Sequence, residues 1–266
     1  MDPVWIVLFV LGISIGSFLN VLIDRLPLGI DVVKGRSHCD YCHHHLSWFE
    51  LIPIVSWLIQ LGRSRCCHKK LSIQYPLIEL VIGVGFVYLY QWFGISGMSV
   101  SFIAAAVLFF ASVGIFVVDL KTECIPEVFI YLGFVSAITL LYPFVIPCLI
   151  GSYATCTMLL HTYLIPASIG AGFFFLLWFF SKGRAMGDGD IYVAGIIGLA
   201  LGYPKLIIAY YVAFLTGSIV GVILILVRKK GMKSHIPFGP FLILGLGIAS
   251  LYGTQILRWW SQLWYI

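Results

Sequence analysis

Two aspartates, Asp119 and Asp190, each stand at the end of an apolar stretch of this 266-residue chain. Asp119 closes one in Val117-Val118-Asp119-Leu120, and Asp190 opens another after Gly187-Asp188-Gly189. Two carboxylates on different helices, at one depth and on one side, can share a proton and activate a water for amide hydrolysis. Glycines at 187 and 189 let the backbone approach a substrate or turn sharply. The same spacing fits a plainer role. Carboxylates at helix ends cap and solvate them, and Asp188 and Asp190 sit near a helix N-terminus, where negative charge is favoured.

Other acids have simpler readings. Asp24 either pairs with Arg25 or sits among headgroups. Glu123 and Glu127 flank Pro126 at a helix start, where they meet the helix dipole. Glu79 lies about two turns into an apolar stretch, so it needs a partner or a proton.

Seven cysteines divide by position. Cys39-x-x-Cys42 has the spacing of a metal knuckle, and Cys66 and Cys67 follow within the same polar segment. Four thiolates in a reducing loop suggest a structural Zn²⁺. Four unconnected thiols, or a redox pair, are the competing readings. Side chains of adjacent residues diverge in a strand, so His43, His44, His45 and His68 are alternative ligands. Cys124 begins a span and reads as a packing residue. Cys148 and Cys156 lie in or near one outside loop and could form a disulfide.

These residues must be positioned by helices in a bilayer. Hydrophobic residues make up 61% of the chain and charged residues 10%, with a mean hydropathy of +1.04. Soluble domains are about 45–50% apolar and about 25% charged. An ordinary soluble enzyme, a disordered protein and a nucleic-acid binder are excluded. The sequence predicts an all-α integral membrane protein with about eight transmembrane helices, near 4–26, 71–92, 100–118, 125–146, 164–181, 191–202, 206–227 and 237–257. The first lacks a basic n-region and a cleavage pattern, so it is expected as a retained helix. Fourteen Lys and Arg residues fall on one side of this arrangement and only Lys205 and Arg258 on the other. The positive-inside rule then puts residues 28–70 in the cytosol and both termini outside. The expected organisation is a first helix (1–27), a cytosolic cysteine segment (28–70) and a seven-helix core (71–266).

Six motifs in order resemble the bacterial prepilin peptidase family, the GxGD-type leader peptidases of type IV prepilins and type II secretion pseudopilins. They are Gly16-Ser17-Phe18-Leu19-Asn20-Val21-Leu22-Ile23-Asp24-Arg25-Leu26-Pro27, Gly35-Arg36-Ser37-His38-Cys39-Asp40-Tyr41-Cys42, Tyr75-Pro76-Leu77-Ile78-Glu79-Leu80, Asp119 with Ile125-Pro126-Glu127, Gly187-Asp188-Gly189-Asp190, and Ile236-Pro237-Phe238-Gly239-Pro240-Phe241. The resemblance implies an aspartic endopeptidase at the cytosolic face of the bacterial inner membrane. Asp119 and Asp190 would be its catalytic pair and Asp188 the variable residue between the glycines. It also implies substrates with a basic leader before an apolar helix, and in many members N-methylation with S-adenosylmethionine. Membrane lipid is the other implied partner, and no nucleic acid is.

The chain departs from the family pattern at three places. Ser64 takes the first position of the second cysteine pair, Cys67 takes the second, and Cys66 is extra. Tyr192 stands where the family usually has Lys, and Glu127 where Asp is common. Cys39, Cys42, Cys66 and Cys67 are therefore the expected metal ligands, with a nearby His as substitute for Cys66. Two other readings stay open: an ion-coupled transporter with acids spread through bilayer depth, and an inactive assembly scaffold of the same fold.

Overall fold

The computed structural model describes residues 3–32, 37–39, 41–42, 44–93, 100–184, 186–227 and 236–263. Gly35, Asp40, His43 and the cations Lys34, Arg36, Arg228, Lys229, Lys230 and Lys233 lie outside them. Eleven α-helices follow along the described residues. They are α1 (Pro3–Arg25), α2 (Val55–Ile59), α3 (Gln74–Phe93), α4 (Val100–Thr122), α5 (Glu127–Leu140), α6 (Tyr142–Leu149), α7 (Tyr153–Met158), α8 (Ile165–Ser181), α9 (Gly189–Leu201), α10 (Lys205–Leu226) and α11 (Gly239–Leu263). A π-helical turn, Leu159–Leu164, joins α7 to α8. Among the described residues the only strand-like pairings are two isolated bridges, His38 with His45 and Arg63 with Lys70.

Six helical stretches are long and apolar enough to cross a membrane. A seventh exists if α5 and α6 form one span bent by 55°. The bend follows from Pro143, which lacks the N–H needed to continue α5. The sixth expected span, α9, has 13 residues. At 1.5 Å per residue that is about 20 Å, short of the roughly 30 Å hydrocarbon core. By length and apolarity alone the described residues give six or seven spans, and α9 is the short apolar helix that an eighth would need. The protein is a multi-pass membrane protein, and its outer surface is correspondingly apolar, with Ile6, Val7, Ile169 and Phe180 exposed.

The chain divides into two compact units, Met1–Gly114 and Ile115–Ile266. In the first, α1 packs along α3 at close range. A Cβ at Gly12 would fall 2.7 Å from the Gly83 Cα, and one at Gly16 would fall 2.8 Å from the Glu79 Cα. Small residues four apart let two membrane helices touch through their backbones. Polar side chains seal the same contact toward one end. Asn20 Nδ2 donates to the Tyr75 carbonyl at 3.1 Å, Gln74 Nε2 to Asn20 Oδ1 at 3.3 Å, and the Tyr75 hydroxyl to Asp24 at 3.2 Å. Asp24 is thus engaged by a tyrosine on α3.

The second unit is built around α9. It packs against α5, α8, α10 and α11, and α10 packs along α11. Val193, Ala194, Ile196 and Ile197 of α9 are buried, which explains how so short a helix is held. Phe174, Tyr210, Phe214 and Phe238 form an aromatic cluster beside it, with ring centroids 5.1–6.1 Å apart along its contacts. A disulfide joins Cys148 and Cys156 across the α6–α7 turn.

Candidate active site

Both expected aspartates are in the second unit, and both are buried: Asp119 is 5% exposed and Asp190 4%. Asp119 occupies the last turn of α4. The chain then leaves the helix through Glu123, whose positive φ of 55° lets its N–H reach back to the Asp119 carbonyl at 3.0 Å. Glu123 therefore ends α4 rather than starting the next helix. Asp190 sits in the first turn of α9, behind Asp188 at the N-cap. The Asp188 carboxylate accepts the Gly189 N–H at 3.0 Å. The Gly187 amide donates to Asp190, and the charge of Asp119 bears on it.

The two aspartates line one cavity of about 740 Å³. Glu123, Glu127, Asp188 and Tyr192 stand around it, and Ile125, Ile130, Phe134 and Phe238 supply its apolar walls. The Tyr131 hydroxyl donates to Glu127 at 3.5 Å, a long contact at the rim. Cys124 is exposed and lines the cavity. It is therefore not a packing residue, because the chain between α4 and α5 runs along the cavity instead of into the core.

Glycines make room at this site. Neither Gly187 nor Gly189 has a positive φ, so neither is needed for a sharp turn. A Cβ at Gly189 would press on Ile125 at 3.0 Å, while Gly187 faces open space. A glycine whose role was not read from the sequence is Gly239, the first residue of α11. Its amide donates to the Asp119 carboxylate. A Cβ there would fall 2.6 Å from Asp119 Oδ2, a buried atom with no hydrogen-bond partner. The carboxylate can swing away, so Gly239→Ala should fold yet displace Asp119. Misplacing a reacting group by about 1 Å costs roughly 100-fold. We expect that loss in cleavage by Gly239→Ala, with Gly247→Ala, which meets nothing within 4 Å, as the silent control. Equal activity in both variants would refute a positioning role for Gly239.

The first unit holds Cys39, Cys42, Cys66 and Cys67. The bridges His38–His45 and Arg63–Lys70 each close a tight turn, and each turn carries one cysteine pair. All four sulfurs, of Cys39, Cys42, Cys66 and Cys67, lie within 4.8 Å of one another and could hold a metal ion. The expected divergence of Cys66 and Cys67 does not occur. Residues 64–69 form a turn with His68 at φ 55°, not a strand, and the Ser64 N–H donates to the Lys69 carbonyl at 2.8 Å. His44, His45 and His68 are not part of the group. Ser64 contributes differently, with its hydroxyl 3.3 Å from Cys39 Sγ and 3.0 Å from Cys66 Sγ. Burial opposes ionisation of Cys39. The Ser64 hydroxyl and the Tyr41 and Cys42 amides outweigh it and bring that thiol down to about 6. Its neighbour Cys42, hydrogen-bonded to Cys66, is pushed up to about 12.

Buried Glu79 also finds its partners here. Its Oε2 accepts the Ile54 N–H at 2.6 Å, and the Ser17 hydroxyl donates to the same carboxylate.

Fold and site together define a polytopic helical membrane protein with two buried carboxylates facing one cavity. Residues 10–93 match the Bacterial Peptidase A24 N-terminal domain, and residues 106–225 match the Type IV leader peptidase family. A protein called prepilin leader peptidase/N-methyltransferase in Bacillus subtilis (strain 168) is 30% identical, over 97% of this chain and 98% of that one. Its namesake in Myxococcus xanthus (strain DK1622) is 32% identical over 84% of this chain and 64% of that protein, so the present chain spans just under two thirds of it. The Aeromonas hydrophila namesake is 29% identical over 95% and 92%. No solved structure matches. The chain belongs to the type IV leader peptidase family.

Proposed function

We propose that this chain is a membrane aspartic endopeptidase that removes the basic leader from type IV prepilins or type II secretion pseudopilins. The observation that carries the reading is the burial of Asp119 and Asp190, from two separate helices, on one cavity. One carboxylate holds a proton against the scissile carbonyl oxygen while the other takes a proton from the attacking water. The amide nitrogen leaves as a protonated amine, and the leader leaves with the new carboxylate. The acidic rim of Glu123, Glu127 and Asp188 supports binding of a basic leader, and the apolar walls support the helix that follows it.

Cleavage is assigned to the cytosolic face of the inner membrane. The fourteen-to-two division of Lys and Arg, counted with α9 as a crossing, supports this orientation. The Cys148–Cys156 bridge agrees with it, since disulfides persist where the compartment is oxidising.

The cysteine group suits Zn²⁺ by donor type. A tetrahedral site with Zn–S near 2.3 Å spaces its sulfurs by roughly 3.7 Å. Cys39 and Cys67 stand at 3.8 Å, while Cys42 and Cys66 are closer, at 2.9 Å. Cys39, Cys42, Cys66 and Cys67 would hold the ion, and its role would be to staple a segment with little core of its own. Methylation of the new N-terminus is included because relatives carry that activity in their names. No donor set among the described residues is specific enough to S-adenosylmethionine to name its site, and no step is derived through it.

The transporter reading lacks support in this geometry. Asp119, Asp188 and Asp190 share one cavity instead of stepping through bilayer depth, and Glu79 is occupied by Ile54 and Ser17. A single experiment tests activity and orientation together. Inverted membrane vesicles should shorten an added prepilin by the length of its leader, while sealed right-side-out vesicles should not. Mass spectrometry of the product then reads whether its N-terminus is methylated. Uncut prepilin with inverted vesicles and with detergent-solubilised protein would leave the scaffold reading in place.

A further inference from the structure

The segment between the two cysteine pairs carries an apolar surface that water does not explain. From Ser47 to Leu61 the sequence is Ser-Trp-Phe-Glu-Leu-Ile-Pro-Ile-Val-Ser-Trp-Leu-Ile-Gln-Leu. Its single ionisable residue, Glu50, is turned back on the segment as a helix cap, accepting the Ser47 N–H at 2.8 Å. The large side chains point outward. Trp48 is 78% exposed, Ile59 77% and Leu61 85%, with Leu51, Val55 and Leu58 also exposed. A contiguous apolar patch of this kind marks a surface that something covers.

We infer that residues 47–61 lie in the headgroup layer of the bilayer, as an interfacial anchor for the cysteine segment, with the membrane itself as the partner. Three observations select the bilayer over another protein. The first is depth. The Ile54 N–H is 2.6 Å from Glu79 Oε2, and Glu79 lies five residues into α3. At 1.5 Å per residue this puts Ile54 beside a point about 7.5 Å along that membrane-spanning helix. Interfacial segments bury their apolar face by about 5–10 Å. The second is backbone form. The stretch has one 3₁₀ turn, one five-residue helix and positive φ at Ile54 and Leu61. Irregular backbone is not tolerated facing hydrocarbon, but headgroups and water can satisfy it. The third is charge. Arg63, Arg65, Lys69 and Lys70 follow directly, as the basic flank that anionic headgroups attract. The exposed Trp48 is of the residue type enriched at that level.

This inference stands apart from the catalytic reading, because it uses no residue of the aspartate cavity. The test uses the full-length protein, with the metal it carries, reconstituted in vesicles of phosphatidylcholine and phosphatidylglycerol. A fluorescent amino acid replaces Trp48, Ile59 or Lys70, one at a time. The first two positions are exposed, so the substitution does not open the core. Nitroxide lipids labelled at the headgroup should quench positions 48 and 59 strongly, while aqueous iodide should quench position 70. Iodide reaching 48 and 59 as readily as 70 would overturn the proposal, since the segment would then be in water. Protection of 48 and 59 from both quenchers would overturn it too, since protein would then be the cover.

Discussion

Asp190→Asn and Asp119→Asn should each lower prepilin cleavage at least about 1,000-fold while leaving folded protein in the membrane. A positioned acid or base contributes about 10²–10⁴-fold. The charge of Asp119 also bears on Asp190, so the proposed pair would act as one unit. The loss should not come from misfolding. Asn matches Asp in shape, and Asp119 Oδ2 is a buried atom with no partner, so removing its charge removes a burial cost. Thermal stability of both variants should equal or exceed that of the parent. Asp188→Asn should cost under about tenfold. Asp188 is exposed and caps Gly189, a task Asn performs equally well. Steady-state cleavage of one prepilin by the three variants decides the matter. Near-normal cleavage by either Asp119→Asn or Asp190→Asn would remove the proposed pair, and a dead Asp188→Asn would move the chemistry to the other acid of the loop.

The second large effect concerns metal. Elemental analysis of purified protein should give about one zinc per chain, falling to near zero in Cys39→Ser, since such sites require four ligands. Cys39 is the buried member of the four, so its loss removes both a ligand and a packed side chain. Because the binding free energy of a structural zinc is folding free energy, the variant should lose order in residues 37–70. Proteolysis confined to that segment would read this out. Cys66→Ser separates the reading from its rival: it should lose zinc as Cys39→Ser does, whereas a histidine ligand would preserve it. Active protein that carries no zinc would dismiss the site altogether.

Hydropathy made most of the spans legible. The expected 4–26 and 100–118 correspond to α1 and α4, because an uninterrupted apolar run of that length has few other places to go. It could not reveal the 55° bend after α5, since a sliding average reports apolarity and not direction. The two aspartates were legible because charge at the edge of an apolar run is costly and stands out. Gly239 was visible only as part of a motif. Its closeness to Asp119 joins residues 120 apart in sequence, and no periodicity reports such a pairing. The Ile54–Glu79 bond is hidden for the same reason. The α1–α3 contact did leave a signal, Gly12-x-x-x-Gly16, which the spacing of small residues in an apolar helix would have exposed. The turn at 64–69 had none that residue type could supply, because His68 adopts a left-handed conformation without being glycine.

The Cys148–Cys156 bridge sets a condition on how the molecule is made and kept intact. Its other described cysteines are free thiols, four of them gathered within 4.8 Å. Reductant added to protect that group can open the bridge, and oxidant that maintains the bridge can join Cys42 to Cys66, whose sulfurs already stand 2.9 Å apart. The two halves of the native thiol pattern therefore make opposite demands on a buffer's redox potential. In the proposed orientation the membrane would place the two groups in separate compartments. Once detergent removes that separation, metal bound to the four thiols would be their remaining protection, so the order in which zinc and reductant are withdrawn would decide which covalent form is purified.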